Sequence, residues 1–314
     1  MLLSTCTFRP EGIYFAMLTP FDAEGRINES VLRDMVDFCI EAGISGLFPV
    51  SSSGEFVHLS LEENCRLMDI VVDQARGRLP VTPGVSTSCA DNSIHLAKHA
   101  QALGCPAVVV CPPYYYPVSQ EVIESHFAAI AKAVDIPLII YNIPAFTTPI
   151  SYELVARLSN DLPVVGMKDS SGSMADFVQF MEQVRQTGAD ISFMCGREEI
   201  LLPALAIGGQ GCMVVSAGIV PEILMEIYQL CEAGEYHRAR EVQFALLRFL
   251  QTANRLPFPS GFKLALELRG FPMGAFKQPL PTSSQQEVEE IKAELKHAME
   301  EMLEPRGLPL VVNR

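Results

Sequence analysis

The sequence predicts an α/β fold, a (β/α)8 TIM barrel with a C-terminal helical extension, and three observations carry that expectation. Eight short runs rich in Val, Ile and Leu recur along the chain, each apolar throughout instead of alternating, as strands covered on both faces require. Helix-length stretches with apolar residues at three- and four-residue spacing lie between them. Eight such units in about 230 residues have the size and period of a barrel, typically ~250 residues, and no GxGxxG follows the first run to favour an open doubly wound sheet.

In order, the runs are Ile13 to Leu18, Gly46 to Val50, Val81 to Val85, Ala107 to Cys111, Leu138 to Tyr141, Val164 to Lys168, Ile191 to Cys195 and Cys212 to Val215. Val31, Met35, Phe38 and Cys39 mark the first helix, Leu61, Cys65, Met68 and Val72 the second, and Ile123, Phe127, Ile130 and Val134 the fourth. Three N-caps are expected: Asn28 before Glu29, Ser60 with Glu63 as a capping box, and Ser119 before Gln120. Past Gly234 the strand signal stops, and helices are expected over Tyr236 to Ala253, Phe262 to Arg269 and Gln285 to Leu303. The division is therefore 1–233, a barrel with the active site, and 234–314, a helical appendage. The loop from Gln278 to Gln285 is the one biased tract, and no repeat of solenoid period appears.

Composition removes several function classes. Twenty-three Lys and Arg against 37 Asp and Glu give a net charge of −14 with no basic run, which disfavours nucleic-acid binding. The uncharged stretch from Ile200 to Pro221 is broken by Pro203, Gly208, Gly209, Gly211 and Gly218, so it reads as helix, turn, buried strand and loop instead of a membrane span. The N-terminus MLLSTCTFRPEG lacks the basic and apolar regions of a signal peptide. Nine cysteines, including Cys6, form no CxxC pair and sit mostly in apolar segments, which fits reduced thiols in a cytoplasm. His95 and His99 share a helix face, but HExxH is absent and nothing completes a metal site. The GGQG at 208–211 lacks the Lys-Ser/Thr of a phosphate loop.

Barrel enzymes work at the C-terminal ends of their strands, so the informative residues follow each run. These are Ser51 to Glu55, Pro112 to Pro117, Tyr141-Asn142 and Lys168 to Gly172. Lys168 ends a buried apolar strand, where an ammonium is costly unless paired or deprotonated. One reading is a Schiff-base lysine attacking a ketone; the other is a strand-end lysine paired with Glu198 or Glu199. The Tyr141 phenol can shuttle a proton or simply be a buried tyrosine with one hydrogen bond. Ser52 and Ser53, beside Gly54, can supply donors to a carboxylate or merely lead into the next helix, with Glu55 tying down the loop.

Thr19-Pro20-Phe21, Ser52-Ser53-Gly54-Glu55, Pro113-Tyr114-Tyr115-Tyr116, Tyr141-Asn142-Ile143-Pro144 and Gly166-Met167-Lys168 follow in an order and spacing that resembles the dihydrodipicolinate synthase / N-acetylneuraminate lyase family over nearly the whole chain. The resemblance implies a class I aldolase that joins pyruvate to an aldehyde, or cleaves a 2-oxo acid to release pyruvate, without metal or organic cofactor. It implies that Lys168 forms the imine, that Tyr141 moves protons, and that Ser52 links Tyr141 to a Tyr115 reaching in from a neighbouring subunit. Ser52 and Ser53 would hold the pyruvate carboxylate. The assembly implied is a homotetramer, a dimer of dimers.

The sequence departs from the synthase pattern at Phe146, where an arginine binds the aldehyde's carboxylate, and at Leu61 and Asn64, where some members carry the histidines of lysine feedback. By resemblance to the neuraminate lyase side, Ser170, Glu198, Glu199 and Ser216 would grip a hydroxylated tail, while Arg197 offers a cation to a second carboxylate. The leading expectation is thus a lyase for a 2-oxo-3-deoxy sugar acid or similar hydroxylated 2-oxo acid. The alternatives are 4-hydroxy-tetrahydrodipicolinate synthase, condensing pyruvate with aspartate semialdehyde, and a non-catalytic barrel that binds small molecules.

Overall fold

A computed structural model describes residues 8–277 and 284–312; Cys6, the start of the N-terminal segment and most of the 278–285 loop lie outside these. Seven parallel strands form one sheet: β1 (Gly12–Ala16), β2 (Gly46–Phe48), β3 (Val108–Val110), β4 (Leu138–Asn142), β5 (Val164–Asp169), β6 (Ser192–Cys195) and β7 (Gly211–Val214). Their order is β2-β1-β7-β6-β5-β4-β3, so the curled sheet begins and ends beside the third apolar run. That run does not form the full strand expected for it. Single parallel bridges join Val81 to Leu47 and Gly84 to Val109, with hydrogen bonds of 2.9 Å from Thr82 N to Leu47 O and from Val109 N to Pro83 O. Pro80 and Pro83 have no N–H to give a ladder, so the run closes the circle between β2 and β3 through isolated contacts.

Eight helices cover the sheet: α1 (Glu29–Glu41), α2 (Leu61–Ala75), α3 (Ala90–Ala102), α4 (Gln120–Ala133), α5 (Tyr152–Asp161), α6 (Met174–Thr187), α7 (Leu201–Ala206) and α8 (Pro221–Glu232). Asn28 caps α1, and Ser60 and Glu63 form the reciprocal box on α2. Ser119 stands at the N-cap of α4, but its side chain makes no capping bond, a correction to the expectation. The stretch from Ile200 folds as α7, a turn and buried β7, and among the described residues no helix is long and apolar enough to cross a membrane. The extension comprises α9 (Tyr236–Ala253), α10 (Ser260–Leu268) and α11 (Gln285–Leu303), with α9 packed on α8 and α11.

The alternation of each strand sorts its side chains into two cores. Ile13, Phe15, Leu138 and Ile140 pack outward against the helices, whereas Tyr14, Ala16, Val109, Ile139, Tyr141 and Met213 fill the barrel. Strand β5 breaks this alternation. Leu138 pairs with Val164 but Ile139 pairs with Gly166, leaving Val165 as an extra residue in a bulge. Val165 already packs inside the barrel, so strict alternation from it would turn Met167 inward and Lys168 outward. The extra residue rephases the strand: Met167 joins the outer core, and Lys168 stands opposite the inward Tyr141.

Candidate active site

Lys168 is 4% exposed at the rim, with its Nζ 4.1 Å from the centre of the Tyr141 ring and 4.9 Å from that of Phe48. The carboxylate pairing considered from sequence is not made. Glu199 accepts from Arg197 at 2.7 Å, and Glu198 accepts from Ser216 Oγ at 2.7 Å and Ser216 N at 3.2 Å. The amine thus sits between aromatic faces, desolvated and facing a cavity of about 230 Å3.

That cavity is lined by Ser52 and Ser53, by Tyr141 and Lys168, and by Ser170, Glu198 and Glu199. Seven residues chosen from sequence therefore meet on one wall-to-wall site. Two do not reach it. Ser216 is fully buried and its hydroxyl is spent on Glu198, so it supports the wall from behind. Tyr115 is 85% exposed and lines a neighbouring cavity, which shares Ser52, Ile143, Phe146 and Phe258 with the first.

The serine loop is held in a strained shape. Val50 and Glu55 flank it with φ of 57° and 61°, a left-handed backbone that costs a non-glycine residue about 1–3 kcal/mol and is worst for a β-branched one. Several contacts sustain it. Ser51 Oγ donates to Met17 O at 2.8 Å, Thr19 Oγ1 donates to Gly54 O at 2.7 Å, and a Cβ on Gly54 would lie 2.7 Å from Met17 O. Gly84 is needed for the same reason: a Cβ there would lie 2.2 Å from the Val50 carbonyl oxygen.

The polar wall is tuned by burial. Burial, more than the Ser216 bonds that oppose it, raises the Glu198 carboxyl above its usual pKa. Behind Lys168, burial likewise raises Asp169, which accepts from Asn142 Nδ2 at 2.7 Å and Ser171 Oγ at 2.6 Å. Asn142 Oδ1 in turn accepts from Ile150 N at 3.2 Å, so this pair fixes the loop after β4 to the end of β5. His95 and His99 lie beside α2 instead: His99 bonds Asp69 at 2.7 Å, and His95 stands 3.9 Å from the Cys65 sulfur. Among the described residues no group of three His, Cys, Asp or Glu is placed to hold a metal.

Sequence reasoning missed part of the lining. Asn254 and Phe258, between α9 and α10, and Phe262 on α10 line the cavity. Their helices read only as an appendage, because periodicity reports which face is buried and not what that face covers.

A parallel barrel with a desolvated lysine at a strand end, beside a tyrosine and a hydroxyl-lined cavity, defines a class I aldolase, a carbon–carbon lyase. The dihydrodipicolinate synthetase family model matches residues 9–298, and the chain belongs to that family. It is 34% identical over 290 residues to the 4-hydroxy-tetrahydrodipicolinate synthase of Bartonella bacilliformis, covering 92% of this chain and 98% of the relative. The structure of the same-named enzyme from Methylacidiphilum fumariolicum SolV superposes with a TM-score of 0.89 at 27% identity, covering 97% of this chain and 100% of that one. YagE, a prophage protein of the dihydrodipicolinic acid synthase family from E. coli K12 in complex with pyruvate, gives 0.85 at 28% identity, covering 92% and 98%.

Proposed function

We propose that Lys168 is the Schiff-base lysine of a pyruvate-dependent aldolase, and the observation that carries this is its burial beneath Tyr141 at the floor of the serine-lined cavity. The amine attacks the keto carbon of pyruvate, the carbinolamine loses water with a proton from the Tyr141 hydroxyl, and the resulting phenolate takes a methyl proton from the imine to leave an enamine. The enamine carbon bonds to the aldehyde carbon while the Tyr141 hydroxyl protonates the new alkoxide. Water then hydrolyses the imine, releasing a 4-hydroxy-2-oxo acid and Lys168. Ser52 and Ser53 hold the carboxylate of pyruvate. A Tyr115 from a second copy, within a homotetramer, would meet Ser52; its outward position and its φ of 87° support that role. Among the described residues eight cysteines are free and six of them buried, which supports a cytoplasmic setting.

For the second substrate, the names of the curated relatives favour aspartate semialdehyde, and so 4-hydroxy-tetrahydrodipicolinate synthase chemistry over the sugar-acid cleavage expected first. One observation favours the sugar-acid reading. Phe146 stands in the wall, and the Arg197 guanidinium and the Glu199 carboxylate bond each other through Nε and Nη2, whereas Ser170 and Glu198 offer partners to hydroxyls. The test is incubation with pyruvate and borohydride, then peptide mass analysis beside Lys168→Ala. A reduced adduct on Lys168, lost in the variant, supports the aldolase; an adduct that survives in Lys168→Ala rejects the assignment. Ligand-induced stabilisation with neither adduct nor turnover would mark a binding protein.

A further inference from the structure

We propose that the buried Glu55–Lys263 ion pair is a positioning device that ties the serine loop to the C-terminal helices and so sets the cradle for the pyruvate carboxylate. The inference rests on the aldolase reading, in which Ser52 and Ser53 hold that carboxylate. Glu55 and Lys263 are 4% and 3% exposed and meet at 2.6 Å, and Glu55 Oε1 meets no other donor than that ammonium. Glu55 Oε2 accepts from Lys277 N at 3.0 Å, so both carboxylate oxygens are engaged by the extension. The Lys263 ammonium also lies 4.5 Å from the Phe21 ring and 4.6 Å from the Phe276 ring.

Two features make this more than a fastening. Glu55 closes the strained segment begun at Val50, and such a backbone persists only where its surroundings over-determine it. Lys263 also follows Phe262 directly, a residue that lines the same cavity as the two serines. One ion pair therefore ties the serine loop to the helix that carries Phe262, and burying it is tolerable only while both partners are present. The C-terminal extension on this view is a working part of the pyruvate site.

The test compares Glu55→Gln with the double variant Glu55→Gln/Lys263→Met. Glu55→Gln is expected to lower Tm and raise the pyruvate KM about tenfold, with kcat and the aldehyde KM much less affected. The double variant removes the unpaired buried charge, so its Tm recovers while the pyruvate KM stays high. A purely structural pair would restore both together, and that result, or an unmoved pyruvate KM in Glu55→Gln, overturns the proposal. Borohydride trapping of the unaltered protein in the same series separates the two readings. An adduct on Lys168 with an unmoved KM rejects only the positioning role, whereas no adduct rejects the aldolase and this inference with it.

Discussion

Tyr141 and Lys168 are register partners on β4 and β5, and the lysine Nζ lies 4.1 Å from the centre of the tyrosine ring. The ring shields the amine, and Tyr141 lines the cavity. Tyr141→Phe keeps the shield and deletes the hydroxyl proposed to carry the proton. Its kcat is expected to fall ~10²–10⁴-fold, the range for loss of a general acid–base group, with Tm little changed. Borohydride should still trap pyruvate on Lys168 at long incubation, because imine formation is slowed and not prevented. Rapid turnover by the variant would remove Tyr141 from the proton path.

The Val50–Gly84 contact predicts a second effect. Gly84→Ala puts a methyl 2.2 Å from the Val50 carbonyl oxygen, and backbone, not a flexible side chain, must give way. The variant is expected to lose about 1–3 kcal/mol of stability and to bind pyruvate more weakly, since the serine loop begins at the displaced residue. Chemical denaturation and the pyruvate KM check the two parts.

Much of the barrel was legible because double burial leaves an unmistakable record of uninterrupted Val, Ile and Leu runs. The motif residues fell into place because barrel chemistry gathers at strand ends, which linear order already identifies. The closure at Val81 to Val85 was only half legible: its apolar character marks it as a strand, while its prolines deny it the ladder. The inward turn of Lys168 was not legible. It depends on the bulge at Val165, and a bulge in a buried strand changes register without changing composition. Asn254, Phe258 and Phe262 were hidden for another reason, since a cavity wall is made by tertiary packing between segments more than a hundred residues apart from the serine loop.

Glu198 carries a pH signature. Its carboxyl is raised above the ordinary value of 4.5, chiefly by burial, so the folded state holds its proton more tightly than the unfolded chain. Its stabilising contribution is therefore full below about 4.5 and is lost as pH rises through the raised value. Glu198→Gln keeps an acceptor for Ser216 and cannot ionise. Relative to the unaltered protein, its Tm is expected to improve as pH rises above 4.5. A constant difference between the two Tm curves would contradict the shift.

His126 predicts the opposite slope. Burial lowers it from 6.5 to about 4, and among the described residues its Nε2 has no hydrogen-bond partner, so it is held neutral inside. The unfolded chain takes up a proton near 6.5 while the folded one resists. Stability present above 6.5 is thus lost as pH falls through 4, by up to ~3 kcal/mol at 1.36 kcal/mol per unit. His126→Phe keeps a ring in the slot and removes the titration. Denaturation at pH 7 and pH 4.5 should show a smaller acid loss in the variant, and an equal loss would assign acid sensitivity to other groups.

Phe146 offers a test of which aldehydes the site accepts. It lies in the wall shared by both cavities and has no donor to give, and the Arg197 guanidinium that lines the first cavity has its charge already offset by Glu199, so a carboxylate arriving on the aldehyde meets no unpaired cation from either side chain. Phe146→Arg supplies one at an exposed position where a guanidinium costs little to place. A charge-assisted hydrogen bond contributes about 1.5–3 kcal/mol, so kcat/KM for aspartate semialdehyde with pyruvate is expected to rise roughly 10- to 100-fold. Cleavage of a 2-oxo-3-deoxy sugar acid, whose tail carries hydroxyls and no charge, should fall or stay level, because the new cation gains less from a hydroxyl than from a carboxylate. The ratio of the two activities is the quantity to measure. If arginine leaves it unchanged, the aldehyde tail lies away from Phe146, and selection must come from Ser170, Asn254 and Phe258 on the other walls.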